Sequence, residues 1–352
     1  MLTFMFAVLY TLFPKRMAVQ CDYPETVEQE VIDTGLCASL KRLTQNRILM
    51  QQTVALACLS TAVFGFVHYD VAYVQAQFHV EALRQDPRAS RGLSDIFRAL
   101  VIIFFVMIFR VRFSARRSDG VKANTASRVG GVVSIVVAAF FVVLASVGCG
   151  VGTIKGFEGG SYVQPSCSQQ CGCASERYGF SPVCDLDSYE TYFSPCNAGC
   201  VDFEDLNGVL LYHNCSCAVG TQRAIRGACS LPSCRTAFSV YQIFYTIMLA
   251  VSGAAFLMQG MVILRAVRLC DKSFAMGLSM AIIGVLSFVI GHFIYMVISY
   301  VTCSYAIEGA CILHGQSLWG VAAASAVAAL LSAVVSLYNS RVALHSEPTT
   351  EL

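Results

Sequence analysis

Pro182-Val183-Cys184-Asp185, followed by Thr191-Tyr192-Phe193-Ser194-Pro195-Cys196-Asn197-Ala198-Gly199-Cys200, forms the centre of a polar, cysteine-rich island. The island covers about eighty residues, 155–235, and long apolar runs flank it on both sides. It holds ten of the seventeen cysteines: Cys167, Cys171, Cys173, Cys184, Cys196, Cys200, Cys215, Cys217, Cys229 and Cys234. A segment this small has too little core to hold itself without covalent staples. The C-x3-C-x-C opening is not a usual zinc spacing, so disulfides are expected rather than a metal.

The apolar runs extend over 48–69, 94–109, 129–150, 238–264, 274–301 and 317–338. A bilayer core about 30 Å thick needs roughly 20 apolar residues in a helix. Five runs meet that length. The sixth, 94–109, is slightly short, and its flanking Arg98 and Arg110 can snorkel to the two interfaces. Composition agrees: 56% of the chain is hydrophobic and only 13% is charged, about half the usual charged share. A net charge of +2 gives no reason to expect a nucleic-acid partner. A further apolar stretch, 2–13, ends at Pro14-Lys15-Arg16. It has no basic region ahead of it and no small-residue cleavage pattern, so it reads as a helix entered midway rather than a cleaved signal.

Lysine and arginine set the orientation. Lys15, Arg16, Lys41, Arg42 and Arg47 precede the first full span, and Arg110, Arg112, Arg116, Arg117, Lys122 and Arg128 lie between the second and third. Arg265, Arg268 and Lys272 lie between the fourth and fifth. If every run crosses, these loops share one side, the cytoplasm. Arg84, Arg88 and Arg91 run against the trend on the other side. The cysteine island falls outside, as do Cys303 and Cys311 in the last loop. Twelve cysteines thus lie where charge independently places the oxidising compartment. Spacing leaves the connectivity of the island open. Cys303 with Cys311 is the one expected pair, because their loop holds no other cysteine. Asn214-Cys215-Ser216 is a glycosylation sequon on the same side.

The island's centre resembles a Kazal module. The whole cysteine pattern, with Asn214-Cys215-Ser216-Cys217, resembles the large outer loop of the organic anion transporting polypeptides. Lys272-Ser273-Phe274-Ala275-Met276-Gly277-Leu278 is similar to that family's short inner loop entering span eleven, and Gly309-Ala310-Cys311 to its last outer loop. Phe13-Pro14-Lys15 looks like the end of span six. The resemblance implies an all-α transmembrane fold. It would be a major-facilitator-type six-helix half-bundle, family spans seven to twelve, plus a small disulfide-rich Kazal-like extracellular module. The implied layout is a truncated N-terminal helix at 1–16, a cytoplasmic loop at 17–47 and three spans in 48–154. The module at 155–235, three spans in 236–340 and a cytoplasmic tail at 341–352 complete it.

What the family does is then the expectation: sodium-independent, alternating-access movement of amphipathic organic anions such as steroid conjugates or bile-salt-like molecules across the plasma membrane. A half-carrier in the bilayer needs a missing N-terminal half or self-association to close its cavity. Two departures stand out. The family's arginine within span eleven aligns with Gly284, and prolines further along are replaced by Ile290 and His292. The family's tryptophan-rich signature would precede Met1, and the single tryptophan is Trp319. A truncated, non-transporting member is therefore the second reading. A membrane-tethered protease-inhibitor module offering Arg177 from the stretch 174–178 is the third.

Candidate path residues follow from polar side chains at helical spacing inside the spans. These are His292, Tyr295 and Ser299; Tyr241, Tyr245, Ser252 and Gln259; Gln51, Gln52 and Arg98; and Ser325, Ser332 and Ser336. Gly277, Gly284 and Gly291 recur every seven residues and read as a stripe of close helix packing. No nucleophile–base pair, phosphate loop or metal-ligand cluster is present in the sequence, so neither an enzyme nor a cofactor is expected.

Overall fold

The computed structural model describes residues 36–78, 123–149, 154–158, 161–173, 181–206, 209–227, 229, 232–267, 271–307, 310–314 and 318–346, with scattered positions between 96 and 111. The helices are α1 (Leu36–Gln45), α2 (Arg47–Phe78), α3 (Ala123–Ser146) and α4 (Pro232–Arg265). They continue with α5 (Lys272–Gly284), α6 (His292–Val301) and α7 (Trp319–Ser346). One wide π turn, Val285–Gly291, joins α5 to α6 in a single rod. Counting that rod once, five helices among the described residues are long and apolar enough to cross a membrane.

The sixth expected span, the stub 2–13 and Arg98 lie largely or wholly outside the described residues. The described positions of the sixth run, among them Ile96, Leu100, Ile103, Phe104, Met107 and Ile108, are helical and exposed. The expected loop 17–47 is partly helix, since α1 occupies its end. Asn46 separates α1 from α2 and caps α2, accepting the Leu49 N–H at 3.1 Å while its amide donates to the Ala266 carbonyl at 2.8 Å. The expected tail at 341–352 begins as helix, because α7 runs on to Ser346.

Contacts at the helix ends fix their directions. Gln52 meets Ser127 near the starts of α2 and α3, and Tyr73 donates to the Leu144 carbonyl at 2.9 Å near their ends. The two helices are therefore parallel. Helix α4 is antiparallel to α3: Cys149 bonds Cys234 at one end, and Gln259 meets Ser134 toward the other. Helix α7 packs against both α2 and α3. Its buried Ala322, Ala326, Ala329 and Ala333 let the backbones approach, which is how helices associate where lipid is as apolar as leucine. The main core runs through Leu59, Phe66, Tyr73, Phe141, Tyr241, Met248 and Tyr295.

The module between α3 and α4 is a small sheet. Its strands are β1 (Ile154–Lys155), β4 (Val183–Asp185), β5 (Thr191–Tyr192), β6 (Asp202–Leu206), β7 (Val209–His213) and β8 (Ala224–Arg226). They lie in the order β1-β5-β4-β8-β7-β6. A separate hairpin, β2 (Phe157–Glu158) with β3 (Ser161–Tyr162), sits beside it. The core is small: Val183, Tyr192, Ala198, Cys215 and Ala224. Within it the Tyr192 hydroxyl donates to the Cys217 carbonyl at 2.8 Å. Asp185 is buried and braces two turns, accepting from Asp187 N–H, Ser188 Oγ and Val219 N–H. At the surface, hydrogen bonds from the Thr221 hydroxyl and N–H hold the Asp187 carboxyl below the usual carboxylate range. The last outer loop is the hairpin β9 (Cys303–Ile307) and β10 (Ala310–His314).

Candidate functional site

Most of the polar residues inside the spans turn toward other helices. Gln52 is buried; its Oε1 accepts from Ser127 Oγ at 3.3 Å and Asn339 Nδ2 at 3.1 Å, and its amide reaches Ser336 Oγ at 3.4 Å. Ser127 and Ser336 each donate to the other's carbonyl, at 2.7 and 3.1 Å. Gln259 is also buried, and its amide meets Ser134 and Ser332, both at 3.1 Å. Tyr295 and Ser325 share a hydrogen bond of 2.6 Å. The serines of α7 and the glutamines of α2 and α4 therefore tie α2, α3, α4, α6 and α7 together. Ser252 bonds its own helix, at Met248. Gln51 and Ser299 are half-buried.

A second group gathers toward the outer ends of the helices. Tyr241 is fully buried and donates to Asp70 Oδ1 at 2.7 Å. Its ring stacks with Tyr73 at 5.8 Å and with Tyr245 at 5.9 Å. Beside this column, His68 and His292 meet edge to face with centroids 5.1 Å apart. Tyr69 stacks against both His292 at 6.4 Å and Tyr295 at 6.1 Å. Sequence reasoning found Tyr241, Tyr245, His292 and Tyr295 but missed His68, Tyr69, Asp70 and Tyr73, which sit at or just past the end of the first apolar run. Ionisable groups at such depth are costly, and that cost was the available signal.

His68 and His292 also lie on an open face. Phe64, Val67, His68 and Val71 recur at i, i+3, i+4 and i+7 on α2, and all are exposed. The facing rod exposes Val285, Phe288, Val289, His292 and Met296. The two surfaces meet through Phe64 and Phe288, with ring centroids 5.7 Å apart. The result is an apolar wall with two imidazoles toward its outer end.

The glycine stripe divides. Gly291 packs closely, since a Cβ there would lie 2.7 Å from Thr61 Cγ2, whereas Gly277 and Gly284 face open space. The expectation of a continuous packing stripe therefore holds at Gly291 alone. Gly284→Ala should stabilise the rod by up to about 1 kcal/mol through helix propensity. Gly291→Ala should lower the detergent-solubilised melting temperature, because Thr61 must move. Thermal unfolding of the two variants side by side checks the contrast.

Among the described residues the cysteines form six disulfides: Cys149–Cys234, Cys167–Cys217, Cys173–Cys196, Cys184–Cys229, Cys200–Cys215 and Cys303–Cys311. The expected Cys303–Cys311 pair is present. One expectation is corrected: Cys171, expected among the bonded cysteines, is a free, exposed thiol, and Cys149, outside the expected set, is bonded to Cys234. Cys149 closes the 129–150 apolar run, so it read as part of a span. In space it stands three residues beyond α3, opposite the first turn of α4. Asn214 is exposed, with a left-handed φ of 52°, and Ser216 of its sequon donates to the Cys167 carbonyl at 2.9 Å. Arg177 and its neighbours 174–178 lie outside the described residues.

The model of the Organic Anion Transporter Polypeptide (OATP) family matches residues 1–317. The chain belongs to this family. It is 26% identical over 258 residues to mouse solute carrier organic anion transporter family member 2B1, covering 70% of this chain and 36% of that protein. With Drosophila melanogaster solute carrier organic anion transporter family member 74D it shares 23% identity over 270 residues, 75% of this chain and 30% of the relative. Human member 2B1 is 30% identical over 132 residues, 36% of this chain and 18% of the relative. The chain thus spans about a third of the length of the mouse and fly relatives. As a member of the OATP family it is a multi-pass plasma-membrane protein and not an enzyme, with its cysteine-rich loop extracellular.

Proposed function

We propose that the chain forms the C-terminal half of an organic anion carrier, a six-helix half-bundle of the major facilitator type with 94–109 as its remaining span. Family membership over residues 1–317 carries this reading. The open wall of α2 and the α5–α6 rod supports it, since a carrier's path runs between two helical halves that rock against each other. Here the wall offers Phe64, Phe288 and Val289 to an apolar body and His68 and His292 to a polar end. That suits an amphipathic anion such as a steroid conjugate or a bile-salt-like molecule. Gly284, where the resemblance places an arginine, leaves open space instead of a charge. Movement is sodium-independent and by alternating access, and the second wall comes from an N-terminal half or a second copy. Asn214 is the proposed glycan acceptor.

Uptake of a labelled steroid conjugate by cells expressing the chain, with surface biotinylation alongside, tests the reading. Saturable uptake above mock cells, unchanged when choline replaces sodium, is the expected result. Surface-expressed chain that gives no uptake alone or with a relative's N-terminal half would support the non-transporting reading instead.

A further inference from the structure

We propose that His68 and His292 form a binding site for a borderline divalent transition-metal ion, of the Zn2+ or Ni2+ class, that ties α2 to α6 toward the outer face. This goes beyond the transport reading and does not rest on it. The two side chains come from different helices and both are exposed on the bundle surface. Their centroids are 5.1 Å apart. A metal–nitrogen bond of about 2.1 Å, with a further ~1.1 Å from nitrogen to ring centre, puts the centroids of two imidazoles on a tetrahedral ion about 5.2 Å apart. The rings cross at 81°, an angle that two imidazoles on one ion can adopt, and rotation about χ2 can adjust where each nitrogen points. That torsion is broad for histidine. The centroid separation already falls close to the value that such an ion requires.

The rest of the surroundings sets the class of site. Among the described residues no third histidine, cysteine, aspartate or glutamate joins the pair. Two protein ligands leave open positions for water or an anionic group, and imidazole selects zinc, nickel or copper over magnesium or calcium. Tyr69 lies stacked beside His292, with ring centroids 6.4 Å apart. Ring packing alone would also produce an edge-to-face pair. Phenylalanine separates the two explanations, because it keeps the packing and removes the ligand nitrogen.

The test uses the full chain in lipid nanodiscs, without a histidine tag and with its free thiols alkylated, titrated calorimetrically with NiCl2 and with ZnCl2. One site per chain is expected. His68→Phe or His292→Phe should weaken it at least tenfold, and the double variant should abolish it. The melting temperature should rise with Ni2+ in the unaltered protein and not in the double variant. Equal binding by the double variant, or no binding by folded unaltered protein, would overturn the proposal. An unaltered melting temperature of the metal-free double variant confirms that packing was preserved, so loss of binding then reports the ligand nitrogens.

Discussion

Cells expressing the Cys184→Ser chain are expected to show little of it at the surface, whereas Cys171→Ser cells should match the unaltered protein. Cys184 lies on β4, between β5 and β8, and is 4% exposed. Its bond to Cys229 closes a separation of 45 residues. A loop of that length restricts the unfolded chain by about 4 kcal/mol in the chain-entropy account. A domain of this size has a total stability of only about 5 kcal/mol or little more. Losing the bridge therefore removes most of what holds the module folded, and leaves the Cys229 thiol free to mispair. Cys171 is exposed and unbonded, so its replacement should cost no more than about 0.5 kcal/mol. Surface biotinylation normalised to total protein gives the comparison. Normal surface levels of Cys184→Ser would mean that the remaining bridges suffice and that the sheet is not organised around β4.

Tyr295→Ala should destabilise the bundle by about 3–5 kcal/mol, the usual cost of removing a large buried ring. Tyr295 is 1% exposed and fills the junction of α2, α6 and α7. Its ring lies against Gly65, where a Cβ would run into it, and stacks with Tyr69. Tyr295→Phe removes only the hydrogen bond to Ser325, and such bonds between membrane helices average about 0.6 kcal/mol. Fluorescence-detected size-exclusion after heating should therefore show a large drop for alanine and a small one for phenylalanine. Equal melting of Tyr295→Ala and the unaltered protein would show that the ring does not hold these helices together. A selective loss of uptake in Tyr295→Phe, with melting unchanged, would instead place its hydroxyl on the substrate path.

Tyr295 also shows where sequence reading stops. Its spacing with His292 is visible in the chain, yet one side chain is buried against Ser325 and the other is open. In a soluble protein the polar face of a helix announces itself. In a bilayer both the lipid-facing and the helix-facing sides are apolar, so the pattern loses its contrast. Ser332, Ser336, Gln52 and Gln259 were visible as polar residues in spans, but only their partners identify them as interhelical ties.

The sequence by itself determined the features that depend on composition and on local order. These are the long apolar runs, the sidedness set by lysine and arginine, the stapled outer module, the Cys303–Cys311 pair and the family. Each follows from solvation or from a loop too short to offer a choice. Only the tertiary structure decided that Cys149 and not Cys171 is bonded, that Gly284 is open while Gly291 is packed, and that His68 meets His292. Those outcomes depend on which helix ends and faces lie side by side. His68 and His292 are 224 residues apart in the chain, and no local pattern reports on a neighbour that distant.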